Sequence, residues 1–203
     1  KAYFSTTLQA ERLEPLSLAK DLRQLLGRPL RVCDPFCGVG PALSTLLSEP
    51  GLVGEILASD LNPDAVELLM DNLRRWDGRS YPKEPGPISM VFDDRIIGVA
   101  DATKLCENPE LTDRWDLLIV NLPHRTIEML SSLAPLLNRK NISMVRGRVI
   151  APESGIEEAY LSIRTILPDT PEGFPDPTLR IKSDYSSKLR LCSFHAWVAP
   201  MDE

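Results

Sequence analysis

Four short constellations in this 203-residue chain carry side chains able to do chemistry. The first is Asp34-Pro35-Phe36-Cys37-Gly38-Val39-Gly40-Pro41, a Gly-rich turn led by an acid. Glycines at 38 and 40 remove side chains where a ligand can approach the backbone, and a helix opening at Pro41 offers free N–H groups. The acid at the head of the turn suits a ligand with positive charge, an amino group or a sulfonium, better than a pyrophosphate. The third glycine of a dinucleotide fingerprint is replaced by Leu43, and no Gly-Lys-Ser/Thr follows, so a P-loop is excluded. The second constellation is Asp60 in Ala58-Ser59-Asp60-Leu61-Asn62-Pro63, where a carboxylate ending a strand can accept both hydroxyls of a ribose. Asn62 is the better helix cap there, which leaves Asp60 for a ligand. The third is Asp101 in Val99-Ala100-Asp101-Ala102-Thr103, either an acceptor for an adenine-type amino group or a simple turn residue. The fourth, Val120-Asn121-Leu122-Pro123-His124, places an amide and neighbouring carbonyls in a turn that proline stiffens, a fit for a planar N–H or NH₂ group. His124 can contact a substrate from that turn, whereas His195, inside an alternating run, reads as structural.

The elements that must position these groups follow from periodicity. Helical spacing of leucines predicts a helix over Leu13–Leu26, and further helices are expected at Pro41–Leu47, from Asn62 to Leu73, at Arg125–Leu137 and at Ile156–Leu167. Short apolar runs predict seven strands: Leu30–Cys33, Glu55–Ser59, Arg95–Ala100, Trp115–Val120, Ile142–Ile150, Leu179–Lys182 and Leu189–Val198. Asp77–Pro87 and Pro168–Pro177 read as loops. Single helices between strands argue for an α/β fold, a mostly parallel seven-stranded sheet with helices on both faces; two strands in succession at the end argue for an antiparallel closing hairpin. The acids at 34, 60 and 101 then lie at strand ends on the carboxyl edge, where open α/β sheets bind ligands. A lead-in over residues 1–30 and a ligand-binding region over 31–203 are expected to form one compact domain.

Composition limits the function classes. The chain has 43% apolar and 26% charged residues, an ordinary globular balance. No apolar run approaches the roughly 18–20 residues of a membrane span. Four cysteines (33, 37, 106, 192) include no CxxC pair, so reduced thiols, a cytoplasmic protein and no metal site are expected. The formal net charge of −6 argues against a uniformly basic nucleic-acid coat, yet it is uneven. Residues 33–120 hold 7 basic and 16 acidic groups, while residues 121–150 hold 5 basic and 1 acidic, a local cluster of Arg125, Arg139, Lys140, Arg146 and Arg148 suited to phosphates.

Taken together, Asp34–Gly40, Asp60, Asp101 and Asn121–His124 resemble the successive motifs of the class I S-adenosylmethionine-dependent methyltransferases. More narrowly, the chain resembles the catalytic domain of the archaeal and eukaryotic tRNA guanine-N1-methyltransferases and their wybutosine-pathway relatives. Tyr3-Phe4-Ser5-Thr6-Thr7-Leu8-Gln9-Ala10-Glu11-Arg12, Asp60–Leu69, and Asn121-Leu122-Pro123 with Glu128 extend the match, which is good over residues 3–136 and loose beyond. The resemblance implies a Rossmann-like fold and S-adenosylmethionine held by Phe4, Asp34, Phe36, Gly38, Gly40, Asp60, Leu61, Asp101, Ala102 and Asn121. It implies Glu11 as general base, with Asn121 and Pro123 positioning a base nitrogen of tRNA, guanine by preference. An additional N-terminal RNA-binding domain outside this chain and a monomeric state are expected with it. Ser5-Thr6-Thr7 stands where the family has Ser-Pro-Arg, so one cationic side chain is missing. Aminocarboxypropyl transfer, another acceptor, and a non-catalytic cofactor-binding module are the alternatives.

Overall fold

The computed structural model describes residues 9–200, with side chains from residue 14 onward. The chain divides after Ala102 into two compact units.

The first unit contains α1 (Gln9–Leu26), β1 (Leu30–Asp34), α2 (Pro41–Leu47), β2 (Val53–Asp60), α3 (Pro63–Asp77), β3 (Ser89–Phe92) and β4 (Arg95–Val99). Its strands lie in the order β3-β4-β2-β1. β1, β2 and β4 are parallel, with Asp34 opposite Ala58 and Asp60 opposite Val99, so the acids end neighbouring strands. Near-continuous burial along these strands, Val32-Cys33-Asp34 and Ile56–Ser59, is what parallel strands covered on both faces require. α3 begins as its sequence dictates. The Asn62 side chain accepts the Asp64 N–H at 3.1 Å, and Pro63 takes the first helical position, where a missing N–H costs little. The helix stops at Gly78, whose φ of 72° a side chain would resist, and it buries Ala65, Val66, Leu69, Met70 and Leu73 along one stripe.

The second unit contains β5 (Leu117–Val120), α4 (Thr126–Leu133), β6 (Ser143–Pro152), α5 (Ile156–Ile166), β7 (Thr178–Asp184) and β8 (Leu189–Val198). Its strands lie in the order β5-β6-β8-β7, with β5 and β6 parallel and β8 antiparallel to both of its neighbours. The β7–β8 pairing shifts register between Ile181 and Ser183. Because Leu189 at the start of β8 pairs with Pro152 at the end of β6, the β7–β8 turn lies at the carboxyl edge of β6.

Eight strands are present among the described residues, not the seven expected. The additional one, β3, is a four-residue antiparallel partner of β4 with two exposed residues, too short and too solvated to produce an apolar alternation. Tertiary contacts hold it instead. Phe92 meets Tyr81 edge-on at 5.1 Å and lies under the Arg79 guanidinium at 5.3 Å, and Arg79 grips Asp94 through two hydrogen bonds of 2.5 and 2.9 Å. The helix expected over Arg125–Leu137 ends earlier. α4 gives way to a 3-10 turn over Ala134–Leu136, because Pro135 has no N–H to continue it. Trp115 makes only an isolated bridge to Leu137, so β5 is regular from Leu117. The helix expected at Leu13 starts at Gln9, and the C-terminal strand runs over Leu189–Val198 as expected. No described helix is long and apolar enough to cross a membrane.

Gly147 sets how closely β5, β6 and β8 pack. A Cβ there would stand 2.5 Å from the Phe194 ring and 2.7 Å from the Val120 carbonyl oxygen. Gly147→Ala is therefore expected to cost about 1–3 kcal/mol in overpacking, read as a lower urea midpoint at unchanged m-value.

Candidate functional site

In the first unit, the loop after β1 is held by hydrogen bonds from its neighbours. The Asp60 carboxylate accepts the Gly38 N–H at 3.0 Å through Oδ2 and the Asn62 N–H at 2.9 Å through Oδ1. The Cys37 N–H donates to the Ser59 carbonyl at 3.0 Å, and the Asn72 amide of α3 donates to the Val39 carbonyl at 2.9 Å. Gly40, at φ 85°, adopts a conformation open to glycine, and a Cβ there would meet Leu69 at 2.6 Å and Trp76 at 3.1 Å. Gly38, at φ 52°, is the reverse case: a Cβ would find nothing within 4 Å among the described residues, which leave room beside it. Neither Asn72 nor Trp76 stands out in the sequence: a polar residue on an amphipathic helix looks like ordinary surface, and Trp76 falls beyond the helix end expected at Leu73.

Asp34 ends β1 only 1% exposed. Its carboxylate interacts with the Phe36 N–H, while Oδ1 has no hydrogen-bond partner among the described residues. A buried carboxylate oxygen without a donor is costly unless something else meets it. Burial, reinforced by the nearby Asp60 charge and only partly offset by the Phe36 N–H, pushes the Asp34 carboxyl up to about 7. The same burial and the same two acids push the Cys37 thiol well above its ordinary range, so Cys37 is an inert thiol of the loop.

The other expected ligand residues fall into place unevenly. Phe36 is half-buried in the loop, and Leu61, directly after Asp60, is 71% exposed, an unusual position for a leucine and a fit for an apolar ligand face. Asp101 is exposed and Ala102 buried at the head of a 3-10 turn, Ala102–Glu107. Phe4 lies outside the described residues. Glu11 lies in the first turns of α1, its side chain likewise outside the description.

In the second unit, Asn121-Leu122-Pro123-His124 follows β5 in a turn closed by Arg125 N–H to the Leu122 carbonyl at 2.9 Å and by the Thr126 hydroxyl to that same carbonyl at 2.9 Å. The Ile150 N–H of β6 donates to the Pro123 carbonyl at 3.0 Å. Asn121 and His124 are exposed on this braced turn. Of the basic cluster, Arg125 is engaged by Glu128 through hydrogen bonds of 2.8 and 2.6 Å, which hold the Glu128 carboxyl below its ordinary value. Arg146 and Arg148 stand half-buried on β6, two residues apart and so on one face. Tyr185, in the β7–β8 turn, meets His124, a partner that nothing in the spacing of the sequence announces.

Asp34 offers a direct test by pH. With a folded value near 7 against an ordinary 3.8, the folded chain keeps a proton that the unfolded chain releases, so stability falls as pH rises between those values. Asp34→Asn is expected to match the wild type near pH 4 and to exceed it by about 2–4 kcal/mol at pH 8, measured by urea unfolding at both.

No protein-family model matches the chain, and no curated protein matches it in sequence. Solved structures do match in fold. The TYW2 protein of M. jannaschii in complex with AdoMet superposes with a TM-score of 0.67 at 17% identity, covering 99% of this chain and 80% of that one. A complex of aTrm5 and tRNALeu gives 0.65 at 18% identity, covering 97% and 47%. The M. jannaschii tRNA m1G37 methyltransferase gives 0.64 at 18% identity, covering 98% and 50%. The chain thus spans most of the first and about half of the other two, and what it shares with them is a Rossmann-like α/β fold.

Proposed function

We propose that this chain is an S-adenosylmethionine-dependent methyltransferase domain that modifies a base nitrogen of tRNA, with guanine as the acceptor that the motif resemblance favours. The observation that carries the reading is the buried Asp34 oxygen without a donor among the described residues, behind a Gly38–Gly40 turn fixed to Asp60. That combination fits a ligand with a cation beside Asp34, hydroxyls for Asp60 and an apolar face for Leu61. The shared fold supports it, as do the AdoMet bound to TYW2 and the tRNALeu bound to aTrm5.

Asp34, Gly38, Gly40, Asp60 and Leu61 would hold the cofactor in the first unit, with Asp101, Ala102, Phe36 and Phe4 around it. When bound, S-adenosylmethionine supplies an electrophilic methyl group on a sulfonium. The remaining chemistry belongs to the chain. Guanine N1 carries a proton at neutral pH, and its lone pair is available for a new N–C bond only as that proton leaves. Glu11 is the proposed acceptor of the proton. The Asn121 amide, on a turn stiffened by Pro123, has both a donor and an acceptor to fix the edge of the base.

Asp60 has a double duty here, since its oxygens already brace the loops that a ligand would touch. Asp60→Ala is expected to weaken S-adenosylmethionine binding at least about tenfold in calorimetry, the scale of lost hydrogen bonds to a charged group. An unchanged affinity would count against the reading. A cation beside Asp34 favours its ionised form, so binding should release a proton near pH 6 and strengthen as pH rises through about 7. Calorimetry in buffers of different ionisation enthalpy reads that proton. Mass spectrometry of tRNA incubated with the protein and cofactor then separates a methyl adduct from an aminocarboxypropyl adduct or none.

A further inference from the structure

His124 and Tyr185 lie 61 positions apart, yet His124 Nε2 and the Tyr185 hydroxyl are 2.9 Å apart, with ring centroids at 5.2 Å and planes at 78°. Both side chains are exposed, Tyr185 by 51%. Each stands on braced backbone. His124 follows Pro123, whose carbonyl takes the Ile150 N–H, and Tyr185 sits in a tight turn whose Tyr185 and Ser186 N–H groups both donate to the Leu189 carbonyl at 2.9 and 3.1 Å. Two exposed rings held edge-on by a hydrogen bond are poor core material, because the area they show water is not removed from it. They do form a rigid aromatic surface, and Asn121, three residues before His124, adds an exposed amide on the same turn. A planar heterocycle is recognised by this set of parts: a ring face to stack upon and an amide for its hydrogen-bonding edge. Two arginines stand on the sheet beside the turn. Arg148, two residues before Ile150, shares a register row through Ser193 with Arg180 on β7.

We infer that His124 and Tyr185 form a stacking platform for an unpaired nucleobase of single-stranded RNA, with Tyr185 as a positioning residue that fixes the imidazole plane. This deepens the reading of the chain as a tRNA-modifying enzyme and rests on it. It assigns the β7–β8 turn a part in choosing the acceptor, which the motifs of the chain do not contain.

A single-stranded RNA oligonucleotide carrying 2-aminopurine tests it. Stacking should change the fluorescence of the probe on binding to wild type. His124→Ala and Tyr185→Ala should each abolish that change and weaken binding about tenfold, the usual loss when a stacking ring is removed. Tyr185→Phe keeps the ring and loses the hydroxyl, so it should retain the signal with a smaller loss of affinity. On a tRNA substrate the alanine variants should raise KM more than they lower kcat. Calorimetry with S-adenosylmethionine should give all three variants the wild-type affinity, which also shows them folded. A wild type with no 2-aminopurine signal, or alanine variants that bind and report like wild type, would overturn the platform. A wild type with no affinity for S-adenosylmethionine overturns the methyltransferase reading instead, and the fluorescence series still decides the platform.

Discussion

The two hydrogen bonds made by the Asp60 carboxylate are the constraint on which the first unit's site depends. One oxygen takes the Gly38 N–H and the other the Asn62 N–H, so a single side chain joins the loop after β1 to the turn that starts α3. Charge-assisted bonds to backbone donors are stronger than neutral ones, and here they replace water on N–H groups that the loop geometry leaves without helical partners. The loop so fixed keeps Gly38 beside space that no described residue fills and Gly40 against Leu69 and Trp76. It also holds a second acid, Asp34, near the first, and the repulsion adds to the burial that raises the Asp34 carboxyl. A cation would relieve both acids together, which links the fold of the loop to the sign of charge it prefers.

The second unit solves a different problem, placing polar groups at the end of an entirely buried strand. Leu117-Leu118-Ile119-Val120 is buried throughout, and the next residue, Asn121, is exposed. Such an abrupt exit needs a turn that satisfies its own backbone. Thr126 does so, buried at the start of α4 with its hydroxyl on the Leu122 carbonyl, while β6 supplies the Ile150 N–H. Gly147 lets β6 and β8 come close enough to β5 for this bracing.

Much of this was legible in the chain itself because local chemistry and global fold agree. Asn62-Pro63 announces a helix start and the structure caps it with that asparagine; Pro41 marks a start in the same way, whereas the helix expected to end at Leu73 runs on to Asp77 and stops at Gly78. The acids at strand ends were legible because an acid after an apolar run is conspicuous. Three things were not. β3 is short, exposed and held by side chains from elsewhere, and periodicity does not register such contacts. The bonds of Asp60 to Gly38 and of Asn72 to Val39 join residues 22 and 33 positions apart. Tyr185 sits in a polar turn, Ser183-Asp184-Tyr185-Ser186-Ser187-Lys188, where nothing in the spacing points to His124.

The register shift in β7 bears on how the molecule behaves in a crowd. β7 ends the strand order of its unit, and an end strand presents its outer backbone groups as a template for another chain. The irregularity between Ile181 and Ser183 interrupts that template at its middle, next to an Ile181 that is half exposed. Arg180, Lys182 and Asp184 place charge along the same stretch. A flat, regular edge bearing that isoleucine would be an unbroken template for edge-to-edge growth; the register shift and the flanking charges oppose it.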